Sequence, residues 1–108
     1  MRNIMKYNSD LLLELIKFEI TQNKITKFGK IKIHITGDKI FFKKKLNDGR
    51  HIYEDINTMA ILITQYLNSQ YLDYTINDIY KTSLIVSLWK PLKELYDKYL
   101  LEKEYFNV

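Results

Sequence analysis

The sequence predicts an α+β fold: an N-terminal helix, then a three-stranded antiparallel β-meander, then two or three C-terminal helices packed on one face of the sheet. Two observations carry this prediction. Between residues 24 and 54, apolar and polar side chains alternate with a period of two between glycine-containing turns, as in strands. On both sides of that region, apolar residues recur at helical spacing. The length of 108 residues suits a single domain covering residues 1–108.

The first predicted element is a helix over residues 9–22. An apolar stripe wide enough to face a core runs along this segment. Ser9 or Asp10 can cap the helix at its N-terminus. The stripe consists of Leu11, Leu12, Leu15, Ile16, Phe18 and Ile20.

The predicted meander is defined by its turns. Gly37-Asp38 suits a two-residue hairpin turn, and Asn47-Asp48-Gly49 suits a three-residue loop with glycine in the left-handed position. The alternation before the first turn is disturbed at Lys27–Gly29, which we treat as an irregularity within one strand. The predicted strands cover residues 24–36, 39–46 and 50–54.

The C-terminal half is predicted to be helical. Apolar spacing predicts a helix over roughly residues 55–69. Thr75 and Asp78 together resemble a capping box, so a further helix is expected over about 76–88. Pro91 then either kinks that helix or lies in the first turn of another one that ends near residue 105.

The predicted turns sort the meander into two faces, because residues directly opposite each other share a face. Ile33 is then opposite Phe42 on an apolar face, and Lys32 is opposite Lys43 on a polar one. Lys44 lies on the apolar side, so the three consecutive lysines do not act together. The predicted polar face collects Lys30, Lys32, His34, Lys39, Phe41, Lys43, Lys45, His51 and Tyr53.

Positive charge is concentrated in the same region. Residues 24–45 contain eight lysines and one aspartate, a net charge of +7, whereas the rest of the chain has nine basic and twelve acidic residues, a net charge of −3. An A/T-rich coding sequence accounts for many lysines, isoleucines, asparagines and tyrosines, but it does not account for their segregation. The segregation therefore indicates a surface with a negatively charged partner.

The predicted polar face combines the residue types of a nucleic-acid site. Lysines neutralise phosphates, and aromatic rings stack on bases. We therefore expect a non-enzymatic protein that binds nucleic acid, either single-stranded or RNA, or a nucleoprotein. A solvated sheet face is the alternative, since lysine is common there and blunts edge pairing. The candidate binding residues are Lys30, Lys32, His34, Phe41, Lys43, Lys45, His51 and Tyr53.

Directly opposed lysines are what favour a ligand over a solvated face. Lys32 opposite Lys43 is destabilising unless a negative charge lies nearby. That charge can come from nucleic acid, from an acidic protein surface, or from Glu14 and Glu19 of the chain itself.

Two further binding classes are open on the sequence alone. One is an inhibitor or adaptor of the type that phages and mobile elements encode, for example an anti-defence protein. Such a protein would engage an acidic surface of its partner through the lysines, or would bind a partner or form a homodimer through a patch of Trp89, Tyr96 and Tyr99. The other is a helix-turn-helix DNA binder over residues 75–103, with Ser87 opening the recognition helix.

Enzymatic activity is not expected. His34 and His51 share the predicted polar face, so they suggest a metal-free ribonuclease, but nothing in the sequence positions a nucleophile or fixes the separation of the two histidines. The chain has no phosphate-binding glycine loop, no serine-hydrolase motif and no cysteine, and we expect neither metal nor cofactor. The lack of cysteine and of a long apolar run fits a cytoplasmic protein that does not enter membranes.

Overall fold

A computed structural model describes residues 6–69 and 78–106, with side chains up to residue 103. It confirms the α+β class, with one helix before an antiparallel sheet and two helices after it. The sheet has four strands in the order β1-β2-β3-β4 rather than three. The elements are α1 (Ser9–Thr21), β1 (Lys27–Phe28), β2 (Ile31–Thr36), β3 (Lys39–Lys45), β4 (His51–Asp55), α2 (Ile56–Ser69) and α3 (Ile79–Phe106).

The predicted register of the central hairpins is confirmed. Lys32 pairs with Lys43 and Ile33 with Phe42 across the first hairpin. Lys43 pairs with Tyr53 across the second. Gly37 has a φ of +62°, the conformation that glycine supplies at the first central position of a two-residue turn. Register matters here because a slip of one residue would exchange the two faces.

The predicted first strand is wrong as a continuous element. The chain reverses at Gly29-Lys30, so that Phe28 pairs with Ile31 and Lys27 pairs with Lys32. Gly29 has a φ of +58°, as Gly37 does at the equivalent place in the next turn. What the sequence presents as an irregularity is therefore a second two-residue hairpin turn, and it adds β1 to the sheet.

Helix α3 excludes one of the two predicted arrangements of the C-terminal segment, the one in which Pro91 lies in the first turn of a new helix. Asp78 Oδ1 accepts hydrogen bonds from the backbone N–H groups of Tyr80 and Lys81, which caps the helix start. From Ile79 the helix continues through Pro91 to Phe106 without a second N-terminus. The helix-turn-helix interpretation of residues 75–103 is therefore wrong, because Ser87 lies within an unbroken helix. Thr75 lies outside the described residues.

The helices cover the apolar face of the sheet. Phe28, Ile31 and Phe42 from the sheet join residues of all three helices in a common hydrophobic core. A β-carbon on Gly29 would lie 3.5 Å from Pro91 Cγ, so the β1–β2 turn packs against α3 at its proline. Ile35, near the far end of the hairpin, is 57% exposed, so the helices leave that end of the apolar face uncovered.

Lys44 is on the apolar face, as predicted, and α3 supplies its partners. Its ammonium donates hydrogen bonds to Ser83 Oγ at 2.6 Å and to Ser87 Oγ at 2.9 Å, and it also reaches the Ser83 carbonyl at 3.3 Å. These contacts satisfy a charge that would otherwise be costly to place between a sheet and a helix. Lys44 therefore has a structural role that its two lysine neighbours do not share.

Candidate nucleic-acid interface

The face of the sheet opposite the helices carries lysines and aromatic rings. We call it the lysine–aromatic face. None of its side chains belongs to the described hydrophobic core. It consists of Lys27 on β1; Lys32, His34 and Thr36 on β2; Lys39, Phe41, Lys43 and Lys45 on β3; and His51, Tyr53 and Asp55 on β4.

Three lysines form a row across this face. Lys27 is directly opposite Lys32, and Lys32 is directly opposite Lys43. Tyr53 continues the row on β4. Neighbouring strands lie about 4.8 Å apart, so the three lysine Cα atoms span about 10 Å. Each of the two like-charged pairs is destabilising in the isolated protein.

The lysine row has no ion-pair partner among the described residues. The ion pairs found there join other groups, such as Arg50 with Asp48 and Lys93 with Asp97. Glu14 and Glu19 of α1, considered above as countercharges, form no ion pair with these lysines. The nearby Asp55 accepts hydrogen bonds from the backbone and side chain of Asn57.

Aromatic rings form a cluster beside the lysine row. The ring centroids of His34 and Tyr53 are 5.2 Å apart in an edge-to-face arrangement, and those of His34 and Phe41 are 6.3 Å apart. Tyr53 is 48% exposed. The Lys43 Nζ atom lies 5.8 Å from the centroid of the Tyr53 ring, within cation–π range. The ammonium group of Lys43 thus contacts an aromatic ring and not a carboxylate.

Most of the predicted binding residues do lie together on this face. Lys30 does not: it occupies the β1–β2 turn, because the chain reverses there. Lys27 of β1, which the sequence reasoning missed, joins the face instead, directly opposite Lys32. The signal that could have revealed Lys27 is Gly29-Lys30, which is a glycine-first pair like Gly37-Asp38 and here lies between Phe28 and Ile31.

The predicted protein interface formed by Trp89, Tyr96 and Tyr99 is wrong at Tyr96. This residue is only 2% exposed, so it belongs to the core and not to an interface. Its hydroxyl accepts a hydrogen bond from the Asn8 backbone N–H at 3.0 Å, which satisfies the buried oxygen. Trp89 is half-buried against Tyr66, with ring centroids 5.7 Å apart, and Tyr99 is also half-buried. Helical spacing alone did not reveal that this side of α3 faces inward.

The two histidines are too far apart to act as an acid–base pair. His34 is opposite Phe41, whereas His51 is opposite Lys45. Those two β3 positions are four residues apart, about 13 Å at the strand rise of 3.3 Å per residue. General acid and base must both reach one scissile bond, so this arrangement does not support the ribonuclease hypothesis.

The Asp97 carboxylate of α3 lies in a hydrogen-bonded cluster with Lys93 and Tyr7. Burial by itself would raise the pKa of the Asp97 carboxyl, but hydrogen bonds from Lys93 and from the Tyr7 hydroxyl outweigh it and hold that pKa below its usual range. Burial and the same hydrogen bond raise the pKa of Tyr7. This cluster ties the segment before α1 to α3.

The described segments contain neither a metal-ligand cluster nor a membrane-spanning helix. No group of three or more metal-ligating side chains comes together there. The helices of that part of the chain are too short or too polar to cross a bilayer. Comparisons of the chain with known protein families, with curated proteins and with solved structures found no match.

Proposed function

We propose that this protein is a non-enzymatic binding protein that contacts nucleic acid, free or within a nucleoprotein, through its lysine–aromatic face. The observation that carries the proposal is the row of directly opposed Lys27, Lys32 and Lys43 without an acidic partner among the described residues. A sheet that places like charges opposite each other is less stable than it could be. A polyanion removes that cost, because each phosphate pairs with a lysine and releases counterions.

The aromatic cluster supports nucleic acid over other polyanions. Phosphate contacts need only lysines, whereas rings beside the lysines offer surfaces on which bases stack. Tyr53 is exposed enough to do so, and His34 and Phe41 lie next to it. We expect this activity in the cytoplasm.

An acidic protein surface is the second candidate, because it would satisfy the same lysine row. This is the inhibitor or adaptor interpretation. It differs in one respect that can be measured: an acidic protein does not need the rings of Phe41 and Tyr53 as stacking platforms. Binding to purified oligonucleotides separates the two, since a protein-only partner leaves them unbound.

The test uses two variants with equal changes in net charge. In the first, Lys32, Lys43 and Lys45 of the face become glutamate. In the second, the exposed Lys90, Lys98 and Lys103 of α3 become glutamate. Fluorescence anisotropy with labelled DNA and RNA oligonucleotides measures affinity. We expect the face variant to lose binding and the α3 variant to keep most of it; equal losses, or an unaffected face variant, would overturn the proposal.

A further inference from the structure

We infer that the ligand is a single strand that crosses the β-strands, with its phosphates along Lys27, Lys32 and Lys43 and its bases over His34, Phe41 and Tyr53. This inference rests on the proposed function and specifies the substrate class and the binding path at the same face. It also assigns a role to Lys27.

The direction follows from the lysine row. Lys27, Lys32 and Lys43 are cross-strand partners, so the row is perpendicular to the β-strands and runs from β1 to β3. Its span of about 10 Å matches about three nucleotides at the 3.4 Å rise of one stacked strand. A phosphate backbone lying along the row meets one lysine on each β-strand that it crosses.

The side on which the bases lie follows from the rings. His34 and Phe41 form the next cross-strand pair, two residues from the lysine row and about 6.6 Å away along the strands. On the other side of the row the corresponding pair is Lys45 and His51, which lacks a phenyl or phenol ring. The bases therefore project toward the Gly37-Asp38 turn, and Lys45 and His51 flank the backbone.

A double helix does not fit this arrangement. Its base faces are stacked inside, and its base edges are read by elements that enter a groove. Rings in the middle of an open sheet face would meet sugar and phosphate without a stacking partner. An unpaired strand presents base faces directly, which is how aromatic platforms recognise single strands.

Lys43 links the two parts of the site. In the free protein its Nζ atom lies over the Tyr53 ring, 5.8 Å from the centroid. When a phosphate binds Lys43, the ammonium leaves that position and a face of Tyr53 becomes free for a base. Phosphate binding and base stacking at Tyr53 are then coupled through one side chain.

The first experiment compares strandedness. The full-length protein is titrated into fluorescein-labelled (dT)12, into (U)12, and into the blunt duplex of (dT)12 with (dA)12, under identical low-salt conditions. We expect both single strands to bind about ten-fold more tightly than the duplex, the contribution of one or two stacked bases. Equal or tighter binding to the duplex would overturn the inference while leaving the proposed function standing. No binding to any probe would overturn both.

The second experiment tests the path with two neighbouring lysines. Lys27 and Lys30 are both exposed and three residues apart, but only Lys27 is in the lysine row. We expect Lys27→Gln to weaken (dT)12 binding about five-fold, the upper end for one exposed charge contact, and Lys30→Gln to leave it within error. If Lys27→Gln has no effect while Lys32→Gln and Lys43→Gln weaken binding, the strand takes another path across the same face. Thermal unfolding of each variant verifies that the fold is retained.

Discussion

The two faces of strand β3 place the same residue types in opposite environments. Phe42 and Lys44 face the helices: the phenyl ring is fully buried, and the ammonium has two serine hydroxyls as acceptors. Phe41 and Lys43 face the other way, where the ring is half-exposed and the ammonium is opposite another lysine. One face is arranged for stability, and the other is arranged at some cost to it. Local departures from stable pairing are expected where a surface serves a partner.

The largest expected difference is between the two adjacent phenylalanines. Phe42→Ala removes a fully buried ring, so we expect the free energy of unfolding to fall by about 3–5 kcal/mol. Phe41→Ala should cost about 1 kcal/mol or less, because its ring lies largely outside the core. Urea unfolding measures both. Similar losses in the two variants would mean that the faces are not as distinct as described.

A smaller difference is expected between the adjacent lysines. Lys44→Ala leaves the partly buried Ser83 and Ser87 hydroxyls without their charged donor, and should lower the free energy of unfolding by about 1–3 kcal/mol. Lys43→Ala should stay within about 0.5 kcal/mol of the wild type, because it loses a cation–π contact but relieves repulsion from Lys32. Urea unfolding of the two variants measures both changes in the free energy of unfolding. A larger loss for Lys43→Ala would contradict the assignment.

Reversing the central charge of the row should stabilise the free protein. Lys32→Glu replaces two like-charged cross-strand pairs with two opposite-charged ones, an expected gain of about 0.5–1.5 kcal/mol at low salt. The gain should shrink at high salt, because these exposed charges are screened. Thermal unfolding at 20 mM and 1 M NaCl would measure it. A destabilised Lys32→Glu variant at low salt would show that Lys32 already has a countercharge.

The Asp97 cluster offers a contrast in which the charge has partners. The folded-state pKa of Asp97 is lowered, so its stabilising contribution is complete above the unfolded pKa of about 3.9 and is lost as the pH falls through the folded-state value. The stability difference between the wild type and Asp97→Asn should therefore shrink in acid. Urea unfolding of both proteins at several pH values below 5 measures this stability difference. A difference that is constant across this range would exclude a lowered pKa.

The sequence was informative where periodicity and turn chemistry agree. Alternation around Gly37-Asp38 predicted that Lys32 faces Lys43 and that Lys44 faces away, and both are confirmed. It failed at β1, because a two-residue strand is too short to show alternation and Gly29 looked like a defect. Candidate residues on long strands were therefore found, whereas Lys27 was not.

The helical region was harder to predict for a different reason. Pro91 removes a backbone donor, so local rules favour a break in the helix. The helix nevertheless continues through Pro91, whose ring packs against the Gly29 turn. Tyr96 shows the same limit, since spacing places it on one side of α3 but does not say that Asn8 provides its hydrogen bond. Tertiary contacts decided both.

The salt dependence of single-strand binding tests the central claim most directly. Affinity for (dT)12 is measured between 50 and 300 mM NaCl for the wild type and for the variant with glutamate at residues 32, 43 and 45. If the lysine row contacts phosphates, log K should fall with log [NaCl] with a slope of about −2 to −3.5 for three to five contacts. The variant should show little binding at any salt concentration. A wild-type slope near zero, or an equally steep slope in the variant, would contradict the claim that this face binds nucleic acid.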